Sequence, residues 1–154
     1  MANKQLTRKY IMTYVSDLFK DVNGFRPRGY NWSEFTLAEL NEFWNDLEEQ
    51  LDRNNIQEEK AEKQAEIRLE TTIQTLIESG AKYRDIALRW ILQGEHPEYA
   101  EENQYITGYE IDGFLWSRGL TRYNDYGTGL RKELLTIAQD LYKKHHQTAL
   151  ESTI

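Results

Sequence analysis

The sequence has no cysteine, only two prolines and no long hydrophobic run among its 154 residues. Without cysteine the chain has no disulfide framework, no thiolate metal ligand and no thiol nucleophile. No segment approaches the roughly 18 consecutive apolar residues that a membrane-spanning helix needs. The first residues, MANKQLTRKYIM, also lack the long apolar core of a secretory signal. These absences predict a cytoplasmic protein with no membrane partner.

Aromatic residues are the main material for a core. Only 39% of the residues are hydrophobic, but four Trp, ten Tyr and five Phe are among them. Each buried ring removes a large area from water, so a chain of this length and composition is expected to fold around a core. We predict one helical domain over residues 1–146, followed by a frayed tail over residues 147–154.

The hydrophobic spacing is that of helices throughout. Apolar residues recur at three- and four-residue intervals, whereas the two-residue alternation of strands is nearly absent. A capping box at Thr36 and Glu39 opens one helix, and Asn23-Gly24 closes the helix before it. The prediction is an all-α fold with helices at about residues 6–22, 37–79, 82–93, 108–118 and 129–146.

The second predicted helix is long and acidic. As one straight helix, residues 37–79 would extend roughly 64 Å. That length exceeds the diameter expected for a compact domain of this mass. We therefore expect either a bend near Asn54-Asn55 or a helix, or helix pair, whose polar middle projects.

Charge is segregated along the chain, which has a formal net charge of −7. Residues 1–30 carry six basic and two acidic side chains, whereas residues 33–79 carry 13 acidic and four basic ones. The acidic stretch forms a solvated helix face, or it occupies a basic channel on a partner protein. The candidate contacts for the second possibility are Glu58, Glu59 and Glu62. The modest net charge argues against a general nucleic-acid mimic, and its sign argues against a basic nucleic-acid binder.

The sequence patterns that carry catalysis are missing. No serine lies in a Gly-x-Ser-x-Gly elbow, and residues 24–29 lack the Gly-Lys-Ser/Thr of a phosphate-binding loop. A di-iron site requires Glu three residues before His, and none of His96, His145 and His146 meets that requirement. We therefore predict no catalytic residue, no metal, no cofactor and no enzymatic activity.

The most suggestive segment is a loop between the first two helices that is rich in arginine and aromatic residues. Residues of these types dominate protein-binding hot spots, and they also stack on bases and bind phosphates. A third interpretation is that the rings pack beneath the loop while the arginines pair with the acidic helix that follows. The candidate partner-binding residues are Phe25, Arg26, Arg28, Tyr30 and Trp32. The same three interpretations apply to a second group, Trp116, Arg118, Arg122, Tyr123 and Tyr126.

Three segments resemble a group of small bacteriophage accessory proteins. Residues 17–30, DLFKDVNGFRPRGY, are similar to the group's helix end and GFRPxG loop, which precede a long acidic helix. Residues 80–90, GAKYRDIALRW, are similar to its Gly-Ala…Ala-x-Arg-Trp segment, and residues 108–112, GYEID, to its Gly-Tyr-x-x-Asp helix. The resemblance covers residues 10–120 but not the C-terminal helix, and it supplies no catalytic residue.

The resemblance implies a phage accessory protein that acts in the cytoplasm of an infected bacterium. Proteins of that class often bind and disable a host protein, including defence machinery. We therefore predict a non-enzymatic protein that binds and modulates or inhibits a host or defence protein complex, as a monomer or a homodimer. The alternative is a nucleic-acid-binding protein that uses its clusters of arginine and aromatic residues.

Overall fold

The computed structural model describes residues 5–97 and 106–151 of the chain. A short 3-10 turn, Trp32–Glu34, and a π-helical turn, Ile77–Ala81, accompany the helices. Within these ranges there is no strand, and the predicted all-α class with about five helices is confirmed. The helices are α1 (Arg8–Asn23), α2 (Leu37–Leu76), α3 (Arg84–Glu95), α4 (Gly108–Ser117) and α5 (Asp125–Glu151).

The chain divides into two compact units, Met1–Lys60 and Ala61–Ile154. Each unit has a hydrophobic core of its own. The assignment of residues 1–146 to a single domain stays a prediction.

The long helix α2 begins where its sequence indicates. Thr36 accepts a hydrogen bond from the Glu39 amide, and the Glu39 carboxylate accepts one from the Thr36 amide, which is the predicted capping box. The helix is unbroken at Asn54-Asn55, where we expected a bend as one of two alternatives. The Asn54 side-chain amide donates to the Val22 carbonyl at 3.2 Å. This contact with α1 offsets the low helix propensity of asparagine.

The first unit is built on two helices that run in the same direction. Leu6, just before α1, is held by the Asn41 side chain in α2, its amide donating at 2.7 Å and its carbonyl accepting at 3.0 Å. Near the other end of α1, Val22 meets Asn54, farther along α2. The order of these contacts makes α1 and α2 parallel. The core residues of this unit are Ile11, Val15, Val22, Leu40, Trp44 and Leu47.

A parallel helix pair needs a connection that returns along the length of the first helix. The 16 residues of α1 extend about 24 Å, a distance that the 24–36 loop is long enough to cover when extended. Trp32 and Phe35 of this loop pack against the core of the helix pair. The Arg8 guanidinium also donates to the Phe35 carbonyl at 2.7 Å. The loop is therefore a packed part of the unit.

The second unit combines the rest of α2 with α3, α4 and α5. The chain leaves α2 through Gly80, whose φ of 129° lies in a region that side chains rarely adopt. The residues that α2 contributes to this core are Ala65, Leu69 and Ile73. The later part of the chain contributes Ala81, Ala87, Leu88, Leu92, Ile106, Ile111, Phe114, Leu115, Leu120, Leu130, Leu134, Ile137 and Ala138.

Helix α3 lies two residues later than predicted, with no change of length, and α5 is longer than predicted. α3 continues through Gly94 to Glu95, although Gly94 predicts an earlier end. α5 begins four residues early because the Asn124 side chain accepts from the Gly127 amide at 2.7 Å and caps the helix. It also continues to Glu151, so residues 147–151, which contain no Gly or Pro, are helical and not the predicted frayed tail. Residues 152–154 lie outside the described ranges.

The substitution Asn41→Ala is expected to lower the free energy of unfolding by about 1–3 kcal/mol, because it leaves the backbone groups of Leu6 without their partner. Urea denaturation measures the difference. The matched control is Asn55→Ala, which removes an exposed amide from the same helix and is expected to be neutral or stabilising. If Asn41→Ala is as stable as the wild type, Asn41 does not hold the two helices in register.

Candidate partner-binding surfaces

The aromatic residues of the 24–36 loop form one cluster with the helices beneath it. Tyr30 and Trp32 stack with ring centroids 4.8 Å apart and planes 6° apart. The ring centroids of Trp32 and Phe43, in α2, are 5.3 Å apart. Those of Phe25 and Phe19, in α1, are 5.8 Å apart in an edge-to-face contact. Trp32 is half-buried, yet Phe25 remains 64% exposed and Tyr30 42% exposed. The rings are thus fixed by packing while two of them present apolar surface to solvent.

The two arginines of the loop behave differently from each other. Arg26 pairs with Asp17 of α1 at 2.8 Å and donates to the Ser16 hydroxyl at 2.9 Å. The third interpretation of the loop pairs its arginines with the acidic helix that follows, whereas Arg26 pairs with a carboxylate of α1 instead. Arg28 is exposed, and no hydrogen bond or ion pair joins it to another residue of the described ranges. Its guanidinium is available to a partner.

The acidic candidates lie in the polar middle of α2. Glu58 and Glu59 are exposed, and Glu62 is half-buried. In the part of the chain that the structure describes, none of the three makes a hydrogen bond or salt bridge. Their geometry is that of solvated helix carboxylates.

The structure separates the members of the second predicted cluster. The Arg118 guanidinium lies 3.9 Å from the centre of the Phe114 ring and pairs with Glu95. Tyr126 donates to the Glu70 carboxylate at 2.7 Å. Arg118 and Tyr126 are therefore half-buried with partners in the second unit, whereas Trp116, Arg122 and Tyr123 are exposed, although Arg122 also pairs with Asp112.

A polar network joins three helices of the second unit. Arg84 at the start of α3 donates to Glu70 of α2 at 2.7 and 2.9 Å, and to Glu133 of α5 at 2.8 Å. The hydrogen bonds from Arg84 hold the pKa of Glu70 below its usual range, against the opposing effect of burial. Burial, together with the hydrogen bond to Glu70, raises the pKa of Tyr126. The network fixes how the three helices pack.

Arg122 and Tyr123 belong to a basic surface at the start of α5. Arg122 and Arg131 both donate to Asp112, at 2.9 and 2.6 Å, and their hydrogen bonds lower the pKa of that carboxyl, Arg131 being the larger cause. The Arg122 guanidinium also lies 5.0 Å from the centre of the exposed Tyr123 ring. A shallow groove of about 450 Å³ is lined by Arg122, Tyr123, Arg131 and Lys132. Sequence spacing places Arg131 and Lys132 on α5 but does not reveal that they meet Arg122.

A second groove lies on α4, and the sequence analysis assigned no function to it. Tyr109, Gly113 and Trp116 line it, and its volume is about 590 Å³. We call it the α4 groove. The helical periodicity of the sequence could have indicated this groove. Ile111, Phe114 and Leu115 form the buried side of α4, so Tyr109 and Trp116 lie outside the core.

Among residues 5–97 and 106–151, no three His, Asp or Glu side chains come together as metal ligands would. The side chains of His145 and His146 lie outside the description. No helix in the described ranges is both long and apolar enough to span a bilayer.

Comparison of the chain with protein-family models, curated proteins and solved structures gives no match. Function is therefore argued from the surfaces themselves.

The substitution Glu70→Gln is expected to flatten the acid side of the stability profile. Because Arg84 lowers the pKa of Glu70 in the folded state, Glu70 stabilises the fold above its usual pKa of 4.5, and this contribution is lost as pH falls through the lowered value. Free energies of unfolding measured between about pH 7 and pH 3 should therefore fall less steeply in the variant. The control is Glu58→Gln, which makes the same change at an exposed carboxylate of the same helix. Identical acid slopes for Glu70→Gln and the wild type would contradict the role of the network.

Proposed function

We propose that the protein is a non-enzymatic protein-binding module that modulates or inhibits a host or defence protein complex. The observation that carries the proposal is the exposed aromatic surface of the 24–36 loop. There, Phe25 and Tyr30 project from a packed cluster. Arg28 is exposed on the same loop and has no partner in the described ranges.

Such a surface favours protein binding for an energetic reason. Association loses free energy when mobile side chains and loops must be ordered. The contacts with Phe19 and Phe43 already hold Phe25 and Tyr30 in place, so less ordering remains to be done. Exposed aromatic residues beside an arginine are also the side chains that contribute most to hot spots.

The biological setting in this proposal comes from the resemblance to phage accessory proteins. In that setting the partner is a protein of the infected bacterium. Glu58, Glu59 and Glu62 are the second candidate contact, because an acidic helix face fits a basic channel on a partner. The two contacts are separable by mutation.

Phe25→Ala and Arg28→Glu are each expected to lower the affinity for the partner at least about tenfold, the scale of losing one hot-spot side chain. Affinity capture from nuclease-treated bacterial lysate, followed by mass spectrometry, identifies the partner, and titration of that partner measures the loss. The matched control is Lys9→Glu, which makes the same charge change at another exposed position of this unit.

The outcomes of this experiment separate the candidate contacts. If the loop variants bind normally and the triple variant Glu58→Lys, Glu59→Lys, Glu62→Lys does not, the acidic helix is the contact. Capture of nucleic acid alone, or of nothing, contradicts the protein-binding proposal.

Nucleic-acid binding is the second candidate, and the basic groove at the start of α5 favours it. Arg122, Arg131 and Lys132 supply three cations, and within the described ranges the two arginines share a single carboxylate, Asp112. The Tyr123 ring is 81% exposed beside them and is a surface on which a base can stack. The groove is small, so it suits a few nucleotides of a single strand.

If this groove binds single-stranded DNA through three cations, the affinity should fall about 20-fold between roughly 50 and 200 mM salt. Tyr123→Ala should lower the affinity about tenfold by removing one stacking contact. Fluorescence anisotropy with a short labelled strand measures both effects. The control is Tyr83→Ala, which removes another exposed tyrosine of the same unit. No binding at the lower salt concentration excludes this candidate.

A further inference from the structure

The α4 groove has the form of a gap between two exposed aromatic side chains. Tyr109 is 87% exposed and Trp116 is 83% exposed. They are seven residues apart, so they lie on one face of the helix and about 10.5 Å apart along its axis. Gly113 lies between them, and a Cβ built there meets no atom within 4 Å. The missing side chain leaves a space wide enough for one side chain of another molecule.

The groove presents carboxylates as well as rings. Glu95, Glu110 and Asp112 line it. Glu95 is paired with Arg118, and Asp112 is held by Arg122 and Arg131. Glu110 accepts from the Thr107 amide and hydroxyl through Oε2 alone, and its Oε1 has no donor in the described part of the chain. The Oε1 atom of the Glu110 carboxylate can therefore accept a hydrogen bond from a partner.

One wall of the groove already binds a guanidinium in this way. Arg118 lies over the Phe114 ring and pairs with the Glu95 carboxylate, and both of these partners line the groove. A ring face together with a carboxylate therefore holds an arginine in this protein. Tyr109, Trp116 and Glu110 repeat the same combination of groups, without an occupant from the described residues.

We infer that the α4 groove binds an arginine side chain of a partner protein, stacked against Trp116 and Tyr109 and paired with Glu110. Charge complementarity selects this occupant, because the Glu110 carboxylate in the groove has no cationic partner among the described residues and the whole chain carries a formal net charge of −7. Arginine is preferred to lysine because its planar, weakly hydrated guanidinium stacks on aromatic rings. The inference rests on the proposed function in taking the partner to be a protein, and it adds the chemistry of the segment that the partner presents.

The test uses the full chain and a short blocked peptide, acetyl-Gly-Arg-Gly-Arg-Gly-amide. Its neutral match carries citrulline in place of arginine. NMR signals of the Trp116 indole N–H and the Gly113 amide follow the titration. The arginine peptide is expected to shift these signals, and the citrulline peptide is expected to bind at least about tenfold more weakly, because it keeps the shape and loses the charge.

Three variants probe the groove itself. Gly113→Leu places a side chain in the gap, where a Cβ meets no atom within 4 Å, and is expected to weaken peptide binding at least about tenfold. Trp116→Ala should have a similar effect, and Glu110→Gln should weaken binding several-fold while keeping the capping box, which glutamine also supports. Gly129→Leu is the matched control, because a Cβ there is equally unobstructed and the residue lies on another helix.

Several results would overturn the inference. Equal binding of the arginine peptide to Gly113→Leu and to the wild type would mean general attraction of a cation to an acidic chain. Equal binding of the citrulline peptide would remove the need for a guanidinium. Shifts of the same signals with protein concentration alone would assign the groove to a second copy of this chain. None of these results depends on the 24–36 loop, so the loop variants test the protein-binding proposal separately.

Discussion

The unbroken backbone hydrogen bonding of α2 is the constraint on which both units depend. One stretch of this helix places Leu40, Trp44 and Leu47 in the first core, and a later stretch places Ala65, Leu69 and Ile73 in the second. Neither core is complete without its part of α2. A change that breaks the helix inside either stretch therefore removes one wall of a core, whereas polar substitutions at the exposed positions between the stretches leave both cores intact.

Local features of the fold were predictable, and contacts that depend on tertiary structure were not. The Thr36 capping box and the Gly24 stop follow from residue types at fixed spacings, and both occur. The continuity of α2 at Asn54 depends on a carbonyl 32 residues earlier in the chain. The early start of α5 depends on the side chain of Asn124, which caps the helix. In the sequence, an asparagine at this place is equally typical of a turn. A spacing rule contains no information about such partners.

The same distinction applies to the candidate surfaces. The composition of the 24–36 loop makes it a candidate surface, but composition does not show that Arg26 pairs with Asp17 of α1 while Arg28 is left exposed. In the α4 groove the informative residue is Gly113, and an absent side chain is easily overlooked in a sequence. Its importance appears only when the two neighbouring rings are seen to be exposed on the same helix face.

The continuity of α2 has a consequence for how the chain acquires its structure. Starting a helix is unfavourable because several residues must be ordered for the first hydrogen bond, whereas each later residue adds a bond of its own. The first unit consists of contiguous residues, Met1–Lys60, so during synthesis it can form before the rest of the chain exists. Its part of α2 then provides a finished end to which Ala61 and the following residues add one by one. Helix formation in the second unit's part of α2 therefore needs no new nucleation, because it continues from the end of an existing helix.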